Sequence, residues 1–407
     1  MTPKMKFRTV AAAAALLVAA PRPGAAQRAV TRADVIAAAL ARGPRVAFAR
    51  ADSAAARAGL TIARQFENPA LSLTYSKAAP QQHFIFDVPL DYPWLRSARV
   101  GAATAGAGAA GYRFDFERAT AEFEADTAYT NALAAARRAA YSRSTARDAD
   151  SVLALARLRR DAGDGSELDV QLATVSVGQL VNAAARDSLD ALSALLDVQA
   201  LMGEPSETPS ISLTDTLAAP RAVPDAPAGS QLLVAAAEQD LSQADQALTL
   251  EKRLIFGAPS LTVGIEQKDP TGSEPGILPT IGVAVPLPLF NQNRGTVLLA
   301  QAARDRAAAA LTLARLEGAQ EAARARREMA LALDRLRRSE QLVASANRVA
   351  QLSLMAYREG ASTLPNVLEA QRTARETLSQ YVDDLAAARN AAGILHLLTL
   401  TAHRNDP

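Results

Sequence analysis

The sequence predicts a mainly α-helical protein with a small β part: long Ala-rich helical rods joined to four short strands. Three observations predict it. Aromatic residues are only 4% of the 407 residues, while Ala, Leu, Arg, Glu, Asp and Gln dominate, which suits helices packed through small side chains better than a bulky globular core. Two stretches, roughly residues 95–161 and 295–359, hold no strong helix breaker, and at about 1.5 Å per residue each would reach about 100 Å. The chain also reads as two copies of one pattern, offset by about 197 residues.

The duplication orders the elements. Val152, Leu155 and Leu158 correspond to Val349, Leu352 and Met355; Gly163, Val170 and Ala173 correspond to Gly360, Val367 and Ala370; Pro89 and Val100 correspond to Pro286 and Val297. Upstream, residues 68–75 resemble residues 258–265 at an offset of about 190, so a loop of the second copy is about seven residues longer. Each copy reads helix, two strands, very long helix, turn, helix. The first copy, residues 27–202, starts at Thr31 with Asp34 three positions on, a helix-start pattern, and its helix is expected to run to about Phe66.

A strand pair is expected at residues 68–92, with Leu71, Leu73 and Tyr75 on one face and Ser72 and Thr74 on the other, followed by Phe84, Ile85, Phe86, Asp87 and Val88. The second copy, residues 231–400, repeats it at 258–288, where Leu261, Val263 and Ile265 oppose Thr262, Gly264 and Glu266, and Ile281, Val283 and Val285 oppose Gly282 and Ala284. Apolar on one side and small or polar on the other is what a barrel wall between lipid and water needs. The tip turns are expected at 161–168 and 358–366. Residues 203–230 carry Pro205, Pro209, Pro220, Pro224 and Pro227 and read as a linker or equatorial belt with short helices, outside the core. Residues 401–407 form a tail.

The first 26 residues read as a secretory leader: Lys4, Lys6 and Arg8, an apolar run from Val10 to Ala20, and small residues Gly24, Ala25 and Ala26 before Gln27. Removing it takes away four basic residues and no acid, turning the +2 of the full chain into about −2, a balance with no clustered basic face for nucleic acid. With no cysteine, disulfides, thiolate metal sites and a catalytic thiol are excluded. No stretch supplies the roughly 20 uncharged apolar residues of a transmembrane helix.

Three segments carry a family resemblance: Gly163-Asp-Gly-Ser-Glu-Leu-Asp-Val170, Tyr357-Arg-Glu-Gly-Ala-Ser-Thr-Leu-Pro-Asn-Val-Leu-Glu-Ala-Gln371, and Val285-Pro-Leu-Pro-Leu-Phe-Asn-Gln-Asn-Arg-Gly295. With the duplicated layout, they make the whole mature chain resemble the TolC family of outer-membrane factors. The last segment is most similar to the cobalt-zinc-cadmium and copper-silver efflux branch. The resemblance implies a homotrimer in which each subunit gives four strands to one 12-stranded transmembrane barrel, continued by a coiled-coil helical barrel in the periplasm. It implies a passive exit duct, with outer-membrane lipid around it and, as partners, a periplasmic adaptor (membrane fusion) protein and an inner-membrane pump such as an RND transporter. Heavy-metal cations are the expected cargo; a drug-efflux or type I secretion duct is the alternative.

By the same resemblance a periplasmic gate is expected at Asp169, Tyr357, Arg358, Asn366 and Glu369. Asp169 matches a family acid that bonds a tyrosine at the position of Tyr357, and Arg358 stands in for an arginine that this chain replaces with Ser362. Of the two acidic positions of the second turn only Glu369 is charged here, Asn366 filling the other. The bland alternative has Asp169 capping its helix and Tyr357 as an ordinary interface residue. Adaptor contact is expected at the tips Gly163, Ser166, Glu167, Leu168, Gly360, Thr363, Leu364 and Pro365.

Other motifs read as structural. Gly106-Ala-Gly-Ala-Ala-Gly111 matches the dinucleotide fingerprint in letters but sits in Ala-rich helix, so close helix packing is expected. His83, His396 and His403 show no ligand spacing and are expected at the surface. Asp383 and Asp384 diverge on a helix and are expected on a solvated face. No cofactor and no enzymatic activity are expected. Against the duct stand a soluble periplasmic coiled-coil scaffold and a periplasmic enzyme; the alternating strands argue against the first, and the second lacks a nucleophile, base or metal set.

Overall fold

The computed structural model describes residues 27–220, 229–254, 259–272 and 276–402. The expected leader, Pro224 and Pro227 of the linker, Ala258 and His403 lie outside the described residues.

The first copy opens with strand β1 (Arg28–Val30), helix α1 (Arg32–Arg42) and helix α2 (Pro44–Arg64). Thr31 caps α1 in a capping box: the Asp34 amide donates to the Thr31 hydroxyl and the Thr31 amide donates to the Asp34 carboxylate at 2.9 Å. The single helix expected to run to Phe66 is broken at Gly43. Pro44 lacks an amide hydrogen and crowds the residue before it out of helical geometry, and Gly43 is extended (φ −62°, ψ 131°).

Strands β2 (Ala70–Tyr75) and β3 (Gln82–Pro89) follow, then helix α3 (Pro93–Asp161) and helix α4 (Glu167–Leu201). The second copy repeats this with α5 (Leu232–Arg253), β5 (Ser260–Gln267), β6 (Leu278–Ala284), α6 (Arg294–Arg358) and α7 (Leu364–Thr399). The 69 residues of α3 and 65 of α6 give rods of about 100 Å.

The rods fix the layout. Near its start α3 packs on α2, where Arg99 donates to the Ala63 carbonyl at 3.1 Å. Towards its end it packs on α4, through hydrogen bonds such as Arg143 to Ser188 at 3.2 Å. Likewise α6 meets α5 first, through Arg304 and Asp245 at 3.1 Å, and then α7. The copies join side by side because α3 also packs on α5 and α7. The sheet thus sits at one end of the rods and the two turns at the other. Alanine dominates the buried positions of α3, including Ala98, Ala105, Ala109, Ala125, Ala139 and Ala156, which lets helix axes approach closely.

The segment 203–230 departs from expectation where it is described. Its residues 203–220 hold no helix but the strand β4 (Ile211–Leu213), paired in parallel with β1. Ile211 is fully buried with Val30, Val35, Tyr129, Val198 and Met202 in the principal core. Gln199, also buried, holds the preceding loop by accepting from the Ser210 amide at 2.9 Å and donating to the Glu204 carbonyl at 3.2 Å. Pro205 and Pro209 disfavour a helix before β4, and Ile211, Leu213 and Leu217 pack into the waist beside α3.

Candidate functional site: an amphipathic sheet and a twin-turn tip

The four strands form one antiparallel sheet in the order β2-β3-β5-β6, so the two copies are joined at β3–β5 and the outer edges are β2 and β6. Register sorts the side chains into rows. Leu71, Phe86, Val263 and Ile281 lie opposite one another in one row, and Leu73, Phe84, Ile265 and Pro279 in the next. Leu71, Leu73, Phe86, Val263, Ile265, Ile281 and Val283 are all exposed.

The intervening rows carry the other face: Ala70, Asp87, Thr262 and Gly282; then Ser72, Ile85, Gly264 and Thr280; then Thr74, His83, Glu266 and Leu278. Polar groups there bond across strands. Thr262 donates to Asp87 at 2.6 Å, Thr280 donates to Glu266 at 3.2 Å, and His83 Nδ1 lies 3.4 Å from Glu266 Oε1. His83, expected as a surface histidine, is therefore half-buried in this ladder. A sheet apolar on its exposed side, small or polar over most of the other, and with β2 and β6 as its outer strands has the patterning that a barrel wall needs.

At the far end the two turns pack on each other. Gly163 (φ +85°) and Gly360 (φ +77°) both end a long helix in the left-handed region, where glycine carries no Cβ penalty. Ser166 and Thr363 then stand at the N-cap positions of α4 and α7, but only Ser166 caps with its side chain, accepting from the Asp169 amide; Thr363 makes no side-chain cap hydrogen bond. Between the hairpins lies a core of Val152, Leu153, Ala156, Val170, Ala173, Tyr357, Leu364 and Val367.

Arg159, which the sequence reading missed, clamps it. Its guanidinium stacks 4.8 Å from the Tyr357 ring centroid and donates to the Tyr357 carbonyl at 2.6 Å and the Asp164 carbonyl at 3.3 Å. Basic residues are commonplace in the last turn of a helix, where they meet the dipole, so only the fold distinguishes Arg159 from Arg160.

The expected gate residues are distributed as follows. Asp169 completes a capping box with Ser166, accepting from the Ser166 amide at 3.3 Å while the Asp169 amide donates to the Ser166 hydroxyl at 3.1 Å. Tyr357 is buried nearby; burial pushes its hydroxyl's pKa up, the Asp169 charge adds to that, and Arg159 opposes it. Arg358 is exposed and lines the groove between the hairpins. Asn366 is exposed and donates weakly to Ser362 at 3.5 Å. Glu369 is exposed and paired with Arg372 at 2.9 Å, whose hydrogen bond holds its pKa below the ordinary value.

Of the expected adaptor-contact residues, Gly163, Ser166, Glu167, Gly360, Thr363 and Pro365 are exposed and Leu168 projects at 66% exposure. Glu167 is held below its ordinary pKa by Gln171 first and then by Arg160. Leu364 does not belong with them: at 1% exposure it is buried in the hairpin core, because the first turn of α7 aims it inwards.

Two structural expectations divide. Gly106 and Gly108 of the fingerprint-like run lie in α3 against Gln243 and Gln239 of α5, close packing with no strand before it. Asp384, expected on a solvated face, is buried, hydrogen-bonded by Ser339 and by Gln380 at 3.0 Å, whereas Asp383 pairs with Arg138. Among the described residues no helix is long and apolar enough to cross a membrane, and no group of three His, Cys, Asp or Glu could hold a metal ion.

No protein-family model matches the sequence, and no curated protein matches it. Solved structures do. The chain is similar to CusC, described for conformational changes accompanying folding and transmembrane channel formation, at a TM-score of 0.75 and 16% identity over 91% of this chain and 92% of that one. It is similar to the outer-membrane protein VceC of Vibrio cholerae at 0.75 and 19% over 91% and 96%, and to the open state of the Neisseria gonorrhoeae outer-membrane channel MtrE at 0.73 and 18% over 90% and 88%. The chain thus has the TolC-like helical-barrel fold found in these outer-membrane channel structures.

Proposed function

We propose that the chain is the outer-membrane exit duct of a tripartite efflux system. The observation that carries this is a four-stranded sheet, apolar on its exposed face and open at both edges, set on rods of about 100 Å. Four strands cannot enclose a lumen, since about eight are needed merely to fill a barrel with side chains. Three copies supply twelve strands, leave no edge and turn the Asp87, Thr262, His83 and Glu266 face to water inside. The rods then continue the duct across the periplasm.

Such a duct performs no chemistry of its own. It is opened by a periplasmic adaptor protein engaging Leu168 and its exposed neighbours at the tip, and driven by an inner-membrane pump. The tip core and the Arg159 clamp hold the two hairpins of one subunit together, so widening the aperture has to disturb contacts around Tyr357. The Pro-Leu-Pro-Leu-Phe-Asn segment supports heavy-metal cations as cargo.

Expression with the leader should place the protein in outer-membrane fractions, and detergent extraction should yield a particle of three copies that conducts ions in planar bilayers. A water-soluble monomer without conductance overturns the proposal. For cargo, a deletion strain should lose tolerance to zinc, cobalt, cadmium or copper; unchanged metal tolerance with raised drug sensitivity moves the cargo to drugs.

A further inference from the structure

Ser142 and Ser339 are buried polar residues in long helices whose buried positions are mostly alanine and leucine. The Ser142 hydroxyl donates to Asp187 of α4, and the Ser339 hydroxyl donates to Asp384 of α7. Both members of the pair recur at the offset of the duplication, and each pair spans 45 positions. Asp384 is buried as well, and Gln380 donates to its other oxygen at 3.0 Å. Burying a hydroxyl with a carboxylate takes both out of water, so such a pair adds little stability over apolar side chains of similar volume. Its presence at equivalent places in both copies points to a role in direction.

The pairs belong to a polar girdle across α4, α3, α7 and α6. Arg138, one turn before Ser142, forms an ion pair with Asp383 of α7 and so joins the two copies. Its counterpart Arg335, one turn before Ser339, lies 3.9 Å from Asp384. The girdle crosses the rods about five helical turns, or roughly 28 Å, before the ends of α3 and α6.

Alanines surround it: Ala139, Ala146 and Ala149 of α3, Ala332 of α6, and Ala386 and Ala388 of α7 are all buried. Small, uniform side chains let one rod roll on another, because no knob is held in a particular hole. Roll of α7 matters at the seam between the copies. Asp383 and Asp384 point about 100° apart around their helix, so the angle that seats Asp384 against Ser339 also aims Asp383 at Arg138.

We infer that the two Ser–Asp pairs are positioning residues that lock the roll of α4 on α3 and of α7 on α6, and that the second pair thereby sets the seam between the copies. The locked α7 presents Asp383 to Arg138 and seats Ala386 beside Ala134 and Val382 in the small core of that seam. The lock acts within one chain and does not depend on assembly into a duct.

The chain has no cysteine, so an introduced pair reports the seam without background. The full chain carrying Ala134→Cys and Ala386→Cys is extracted in detergent, and its disulfide yield under mild oxidation is measured beside its thermal midpoint. With both Ser–Asp pairs intact, most of the protein should cross-link within the chain. Ser339→Ala with Asp384→Leu, which makes the second pair apolar, should leave the midpoint unchanged or higher while cutting the yield at least threefold. Asp384→Asn, which keeps a hydrogen-bond partner for Ser339, should hold the yield of the parent.

Parental cross-linking in the apolar variant overturns the lock and leaves the pair as ordinary packing. A midpoint that falls together with the yield in that variant overturns it as well, since the pair would then contribute stability and not direction. Loss of yield in Asp384→Asn also counts against it, because the hydrogen bond would not be what holds the angle. Absence of the cross-link with both pairs intact removes the seam on which the lock is argued.

Discussion

At the scale of single residues, Asp169 serves two ends whose consequences separate. Its carboxylate closes the capping box with Ser166, and it lies close enough to Tyr357 for its charge to raise the phenol's pKa. Removing either half of the box costs about 1 kcal/mol of helix stability. Ser166→Ala and Asp169→Ala should therefore loosen the start of α4 alike, read as faster hydrogen exchange of its first amides. Under the proposed gate, only Asp169→Ala should also raise single-channel conductance, because only it removes a charge beside Tyr357; equal conductance in both variants removes Asp169 from the proposed gate.

The position of this tip was legible in the sequence, since Gly163 and Gly360 recur at the offset of the duplication and close the two stretches without a helix breaker. Arg159 was not, because its partner is a ring and a carbonyl 198 positions away. Leu364 was misplaced because a turn residue looks exposed until the facing hairpin covers it. Asp384 was misplaced for a related reason: adjacent carboxylates on one helix diverge, so one can be solvated while the other is sealed against α6.

At the scale of elements, the seam between α3 and α5 depends on the absence of side chains. A Cβ at Gly106 would come within 2.9 Å of the Gln243 Oε1, the far end of a flexible side chain that can swing aside. Gly106→Ala should accordingly be tolerated, whereas Gly106→Leu should force the helices apart and destabilise by about 1–3 kcal/mol, measured as a drop in the thermal midpoint of the extracted protein. A Leu variant as stable as the parent would show that the seam is loose.

The extents of the long helices were readable because nothing along them interrupts the backbone ladder. The kink at Gly43 and Pro44 was visible in letters but outweighed by the apolar pattern on both sides. Strand β4 could not be read at all: three residues between prolines carry no periodicity, and their pairing with β1 exists only once α3 brings the waist together.

At the scale of the whole molecule, the sidedness of the sheet is the property that decides where the protein resides. Ile281 and Thr280 are neighbours in sequence on opposite faces. Ile281→Arg should cost about 2–4 kcal/mol near the bilayer midplane and lower the yield of membrane-inserted trimer. Thr280→Arg, on the face that the proposed duct turns to water, should assemble normally and shift ion selectivity towards anions in bilayer recordings. The reverse pattern would mean that the sheet is inside out. Alternation with period two made the faces readable from the sequence; closure into a barrel stays part of the proposal, since β2 and β6 are the outer strands of the sheet among the described residues.

The sheet also joins residues far apart along the chain: Asp87 and Thr262, hydrogen-bonded across its centre, are 175 positions apart. The contacts between α3 and α4 are closer in sequence, while the apolar face of the sheet stays divided in two until synthesis has delivered the second half. Long-range pairings of this kind are slow to form, so a half-made chain has no complete sheet. Delay is thereby built into the gene order of the duplicated halves.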